Sequence, residues 1–516
     1  MLRRLLPFLA LLGGALAQAF WVETPLGRAQ GRLEGGAIAF YGLPYAEAER
    51  FRAPKPLKTW PPGVGQEAVA CPQAPGITAW FSGPIPPERE DCLVLNLYLP
   101  AQVPPPGGFP VMVYLHGGAF TSGAGAEPIY RGHRLSEEGV VVVAPNYRLG
   151  PLGFLALPAL AEEDPKAVGN YGLLDVLEAL RFVRDYIRYF GGDPKNVTLF
   201  GESAGGMLVC ALLATPEARG LFQKAIVQSG GCGYVRALEE DYAQGEAWAK
   251  ARGCDPKDLA CLRALPLERL LPEEPEAMGR FLSNPSLFRT GPFKPHLSPF
   301  LLPQDPREAL REGKAAGIPL IAGANAEEVA FPALQALLGP GDWEEAERRL
   351  LESGLSREKA QALLAHYRKG VPDPKRAWGE VQTDLTLLCP SLKAARLQAP
   401  HAPTYAYLFT FRAPGFEGLG AFHGLELAPL FGNLLERPFL PHFPKPRGPR
   451  GGRVPGQEDA PLLDLLRQGR RAQGVAPLAP LPGGPPPAAG RPPGASAGPL
   501  RRTVRRPRGP WATLRA

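Results

Sequence analysis

Apolar and polar positions alternate along the chain with two different periods. "LVLNLYLP" (93–100) and "FPVMVYLH" (109–116) are short and apolar, and "GVVVVAPNYR" (139–148) opens on an unbroken apolar run. A run of that kind predicts a strand buried on both faces. "NYGLLDVLEALRFVRDYIRYFGG" (170–192) repeats its apolar residues at helical spacing and stops at a glycine pair, which predicts a helix. A strand at "NVTLF" (196–200), a helix at "GGMLVCALLAT" (205–215) and a strand at "KAIVQSGG" (224–231) follow. Strands alternating with helices predict an α/β fold, with a mostly parallel central sheet and helices on both faces.

The flanks read differently. "WVETPLGRAQGRLEGGAIAFYGLPYA" predicts short strands joined by glycine turns, and a proline-rich loop runs from 54 to 87. Residues 233–313 turn helical and charged and read as an inserted helical subdomain. "GIPLIAGAN" (317–325) returns to a buried strand, a helical stretch extends to about 399, and "PTYAYLFTF" (403–411) is a further strand. Residues 20–436 thus form one catalytic-domain candidate. No internal repeat is present.

Composition changes the picture at both ends. Residues 1–19 carry Arg3 and Arg4, an apolar stretch, and small residues at Ala15, Ala17 and Ala19. That is the pattern of a signal peptide cut after Ala17 or Ala19, and the stretch is short for a membrane anchor. The expected location is secreted or periplasmic. The formal charge of +7 comes from the other end: residues 439–516 hold 13 Arg and 1 Lys against 3 acids. The remaining body is mildly acidic, so nothing in it suggests a nucleic-acid partner. Residues 437–516 are rich in Pro, Gly and Arg and cannot bury much apolar surface. They read as a basic tail or as the off-frame product of a GC-rich gene.

Export makes the seven cysteines candidates for disulfides. Cys71 and Cys92 flank the proline-rich loop, and Cys254 and Cys261 flank a short segment. Cys210 lies in an apolar helix and reads as a free buried thiol. No Cys or His spacing suggests a metal site.

The candidate chemistry is at "LFGESAGGM" (199–207). The pentapeptide Gly-Glu-Ser-Ala-Gly sits between a strand and a helix, where a sharp turn lifts the Ser203 hydroxyl above the sheet as a nucleophile. A serine needs a base, and the base needs an acid to hold its tautomer. In this arrangement the chain order is serine, acid, histidine. Glu327 and Glu328 end the strand 317–325, and both fit the acid. Of the later histidines, His366 lies in a helix, His401 precedes a strand, and His442 falls in the tail. His423, in "GAFHGLELAPLFG", sits in a glycine-flanked loop after a strand and fits the base. "HGGAF" (116–120) is a glycine-rich loop that can supply oxyanion donors from the N–H groups of Gly118 and Ala119, with Ala204 as the third.

With these motifs in order, the chain resembles the type-B carboxylesterase family of the α/β-hydrolase fold, among whose members are cholinesterases and bacterial para-nitrobenzyl esterases. The likeness runs from about 22 to 435 through "GLPYA", "EDCLVLNLYLP", "HGGAF", "NYRLGPLGFL", "GGDPKNVTLFGESAGG", "IVQSG" and "HGLELAPLFG". It implies an esterase acting through a Ser203–Glu328–His423 triad on small-molecule esters, with no cofactor. It places Glu327 on a neighbouring aspartate position and Glu328 on the acid. It also implies disulfides Cys71–Cys92 and Cys254–Cys261, and a free Cys389. The alternative within the family is a non-catalytic adhesion or binding protein, which would have lost a triad residue.

Four departures stand out. Ala119 replaces a glycine of the oxyanion loop, and Val329 replaces the glycine after the acid. Trp80 and Phe81 lie in the loop where a choline cage would form, but their register does not match. Beyond about 436, the tryptophan-bearing helix and the Gly-Asp-Pro turn of the family are missing, which suggests a frameshift between 436 and 460. Translating the neighbouring frames of the gene tests it.

Overall fold

A computed structural model describes residues 19–73, 84–271, 293–329, 335, 339–413 and 417–433. Trp80, Phe81, His442, the tail 437–516 and all but the last residue of the signal segment 1–19 lie outside the described residues.

The first three strands, β1 (Ala19–Thr24), β2 (Gly27–Glu34) and β3 (Ala37–Pro44), form an antiparallel meander across glycine turns. A two-stranded ribbon, β4 (Ala46–Glu47) with β5 (Lys55–Pro56), stands apart. The other strands are β6 (Val94–Pro100), β7 (Phe109–Leu115), β8 (Val141–Pro145), β9 (Gly192–Glu202), β10 (Lys224–Gln228), β11 (Leu320–Asn325) and β12 (Thr404–Phe409). They extend the meander into a ten-stranded sheet of order β1-β2-β3-β6-β8-β7-β9-β10-β11-β12. From β8 to β12 every neighbouring pair is parallel. This is the mostly parallel sheet that the alternation of strands and helices predicts.

Burial explains the sequence pattern. All five residues of β8 are buried, and its valines divide between two cores, Val141 and Val143 in one and Val142 in another. The helix Tyr171–Tyr186 is buried along its apolar stripe. The helix Ala204–Ala214 is buried all round, which is why its sequence is apolar all round. It packs against β9 and β10. One large core, built on Val111, Val113, Val143, Leu199 and Val227, runs beneath the sheet.

Within 233–313, the helices Leu238–Ala251, Leu259–Ala264 and Leu267–Leu270 share a smaller core with Leu155, Leu157 and Tyr171. The helix Pro306–Arg311 instead contributes Ala309 and Leu310 to the main core. Helices between 343 and 398 close over a third cluster around Trp378, Leu350 and Leu364. No helix among the described residues is long and apolar enough to cross a membrane.

Three disulfides staple the chain: Cys71–Cys92, Cys254–Cys261 and Cys210–Cys232. The third corrects the reading of Cys210 as a free thiol. Packing of the helix Ala204–Ala214 on β10 brings Cys210 to the loop that leaves that strand, with 5.1 Å between the Cα atoms. No local spacing announces such a pair. Cys389 is free.

Candidate active site

Ser203 caps the helix Ala204–Ala214 directly after β9, with φ 55° and ψ −123°. That conformation costs a non-glycine residue about 1–3 kcal/mol and persists only where the surroundings enforce it. Here they do. A Cβ on Gly205 would lie 1.9 Å from the Leu115 carbonyl oxygen, and one on Gly201 would lie 2.5 Å from the Gly205 carbonyl carbon. Only glycines let the turn close this tightly. The Ser203 N–H donates to the Gln228 carbonyl on β10 at 2.9 Å, which ties the elbow to the next strand.

The loop 117–120 lies against the elbow. A Cβ on Gly117 would stand 3.1 Å from Ser203 Cβ. Gly118, Ala119 and Phe120 have φ of 104°, 54° and 63°, three successive left-handed residues. Such a run bends the backbone sharply beside the serine turn. Among the described residues, no hydrogen bond takes the N–H of Gly118, Ala119 or Ala204. The last belongs to the first helical turn, whose N–H groups have no partner within the helix. His116 steadies the loop. Its ring stacks on Tyr147 at 4.4 Å between centroids, and its Nδ1 lies 2.8 Å from the Gly117 carbonyl. Burial pushes His116 down to about 4, so the ring is neutral and Nδ1–H donates. Gln73 joins the loop to the Cys71–Cys92 disulfide. It donates to the Cys71 and Gly123 carbonyls and accepts from the Gly123 N–H.

The two adjacent glutamates part company. Glu328 is fully buried, and its Oε2 lies 2.6 Å from His423 Nδ1. Its Oε1 accepts from the Ser229 hydroxyl at 2.5 Å and from the Asn325 N–H at 2.7 Å. The His423 N–H also donates to the Glu328 carbonyl at 3.0 Å. Glu327 turns the other way: it pairs with Arg412 and accepts the Ala421 N–H at 2.6 Å. Val329 is not among the residues with positive φ, so its branched side chain is accommodated without left-handed strain.

His423 Nε2 faces Glu202 Oε1 at 3.1 Å, an ionic contact. Glu202 is the chain neighbour of Ser203, so this contact brings Nε2 to the residue before the elbow serine, although no hydrogen bond among the described residues joins His423 to Ser203 itself. His366 is exposed on the helix Arg357–Gly370, and His401 lies near the Arg311 carbonyl. Neither is described in contact with Glu202 or Glu328, as His423 is.

Three carboxylates crowd this histidine. Burial raises Glu202, helped by Glu328 and opposed by His423. Burial also raises Glu426, which Glu202 and Glu328 push further. Burial works against a charged His423, but Glu202, Glu328 and Glu426 outweigh it and raise the imidazole well above its ordinary value. Like-charged carboxylates sharing a dry site hold protons that isolated ones would release. Glu202, Ser229, Asn325 and Glu426 were not singled out from the sequence, although three of them stand inside the quoted motifs "GESAGG", "IVQSG" and "HGLELAPLFG". Among the described residues, no group of His, Cys, Asp and Glu could hold a metal ion.

A profile described as "Carboxylesterase family" matches residues 18–445. The chain belongs to the carboxylesterase family. As a carboxylesterase it is 37% identical over 425 residues to the para-nitrobenzyl esterase of Bacillus subtilis, with 81% of this chain and 84% of that one covered. It is 33% identical to the cholinesterase of Mus musculus, covering 81% of this chain and 74% of that one. A solved structure of PNB esterase superposes with a TM-score of 0.66 at 35% identity, covering 80% of this carboxylesterase and 85% of that chain. The chain is therefore an esterase of small-molecule carboxylic esters built on the α/β-hydrolase fold.

Proposed function

We propose that this carboxylesterase works through an acyl-enzyme on Ser203, with His423 as general base and Glu328 as its carboxylate partner. The observation that carries the reading is the 2.6 Å contact between His423 Nδ1 and a Glu328 that is fully buried. Held on that side, the ring keeps its proton on Nδ1 and offers the Nε2 lone pair to the serine.

Ser203 Oγ attacks the ester carbonyl carbon as Nε2 takes its proton. The oxygen, now negative, is met by the N–H groups of Gly118, Ala119 and Ala204, each worth about 3 kcal/mol. The tetrahedral adduct collapses, His423 returns the proton to the leaving alcohol, and the acyl group remains on Ser203. Water, deprotonated by His423, then attacks the acyl carbon, and His423 returns that proton to Ser203 Oγ as the acyl–oxygen bond breaks and the acid leaves. Glu328 compensates the imidazolium in both halves.

The three disulfides and the basic, small-residue pattern of residues 1–19 support a secreted or periplasmic protein. Ala19 already pairs with Arg32 in the sheet, so a cut after Ala17 leaves β1 whole.

An organophosphate tests the mechanism. It labels the wild-type chain once and covalently, and Ser203→Ala abolishes both label and hydrolysis of p-nitrophenyl esters. Labelling that survives in Ser203→Ala would place the nucleophile elsewhere.

A further inference from the structure

We propose that Asn325 is a positioning residue for the base and its carboxylate, gripping the acid loop with its backbone and the histidine loop with its side chain. The inference rests on the Ser203–His423–Glu328 reading above.

Asn325 ends β11 and is fully buried. Its N–H donates to Glu328 Oε1 at 2.7 Å. Its Nδ2 donates to the carbonyl of Phe422, the residue before His423, at 2.7 Å, and to Glu426 Oε2 at 2.5 Å. A carbonyl oxygen can only accept, so the amide must turn its NH2 group, and not its oxygen, toward Phe422. Both amide protons are then engaged. One side chain and its own N–H thus hold both halves of the pair that meets at 2.6 Å.

The requirement is chemical as well as steric. Aspartate has nearly the same shape, but it would set an oxygen against the Phe422 carbonyl and add a charge beside Glu426. Leucine has a similar volume but donates nothing: Glu426 Oε2 loses its amide donor, and the Phe422 carbonyl, which also accepts from the Leu425 N–H at 3.1 Å, loses one of its donors. The charged groups facing this corner are Glu202 from the elbow, Glu328 from the acid loop and Glu426 from the start of the helix Leu427–Phe431. Tyr407 on β12 and Tyr114 on β7 also border it, and burial pushes both hydroxyls upward, so they stay neutral while His423 titrates.

The test compares the full-length wild type with Asn325→Leu, Asn325→Asp and His423→Ala. Hydrolysis of p-nitrophenyl butyrate is followed from about pH 5 to 9, with active sites counted by organophosphate titration. Both Asn325 variants should lose about tenfold or more in kcat per titrated site, with KM within about threefold. Asn325→Asp should also move the acid limb of the rate profile up by about one unit, because the added charge favours the imidazolium. Asn325→Leu should move it less. Wild-type kcat per titrated site in both variants, with only the number of sites reduced, would overturn the proposal and leave Asn325 a folding residue. A His423→Ala enzyme that keeps its rate would instead sink the triad reading beneath it.

Discussion

At the scale of single residues, Glu327 and Glu328 separate a surface ion pair from a buried one. Glu327 meets Arg412, whose side chain is half-exposed, and surface pairs contribute roughly 0–1 kcal/mol. Glu328 has no solvent to turn to and must bond Ser229, Asn325 and His423. Glu328→Gln is expected to lower kcat by about 10³- to 10⁴-fold, as loss of the tautomer-holding carboxylate does in serine hydrolases, while Glu327→Gln stays within a few-fold. Steady-state kinetics on both variants checks the pair, and equal losses would refute it. Glu202 governs pH dependence. Its charge lies 3.1 Å from Nε2 and favours the protonated ring, which cannot act as a base. Glu202→Gln removes that charge, so His423 loses its proton at lower pH and the acid limb of kcat/KM moves down. A limb that stays put or moves up counts against this. Spacing alone left the two glutamates open, because which neighbour faces inward depends on where Arg412 and Ala421 arrive, about 90 residues later in the chain; the family resemblance pointed to Glu328.

At the scale of elements, the oxyanion loop and the elbow are legible for one reason: each needs glycines where backbones nearly touch. The departure at Ala119 is now located. Its φ of 54° is one that alanine adopts at a cost of about 1–2 kcal/mol, and its methyl sits beside the proposed oxyanion donors. Ala119→Gly is expected to raise turnover of tertiary-alcohol esters relative to primary ones, read as the ratio of kcat/KM for tert-butyl and n-butyl esters. An unchanged ratio would dismiss the methyl as the barrier. The helix Ala204–Ala214 shows the opposite case. Its apolar sequence predicts burial correctly but conceals the Cys210–Cys232 bond, because the partner is set by β10 and not by spacing. Closing a loop of 22 residues stabilises the fold by about 3 kcal/mol, so paired Cys210→Ala and Cys232→Ala should lower Tm by several degrees. An unchanged Tm would mean the bond does not form in solution.

At the scale of the whole molecule, the buried carboxyls link catalysis to stability. Glu426 is raised by burial from 4.5 to about 8. Between those values the folded chain keeps a proton that the unfolded chain has lost, so stability falls as pH rises through that window. Glu426→Gln removes the dependence, and its Tm should fall less than the wild-type Tm between about pH 5 and 8 in calorimetry. Equally steep curves would show that Glu426 does not carry the linkage. The same crowding of carboxylates that raises His423 thus also makes stability fall as pH rises.

The sequence by itself determined the α/β order, the parallel core strands, the nucleophile elbow and the glycine loop. These are local: periodicity, and glycines where only hydrogen fits, are written in consecutive residues. Motif resemblance added Glu328 and His423 and two of the disulfides. Only the tertiary structure showed that Ser229 and Asn325 hold Glu328, that Cys210 is paired with Cys232, and that Asn325 and Glu426 border the pair of Glu328 and His423. Those choices depend on contacts such as Asn325 with Phe422 and Ser229 with Glu328, between residues nearly 100 positions apart. Burial and the shared field of three carboxylates arise only when the end of β9, the loop after β11 and the histidine loop converge, and no stretch of sequence contains all three.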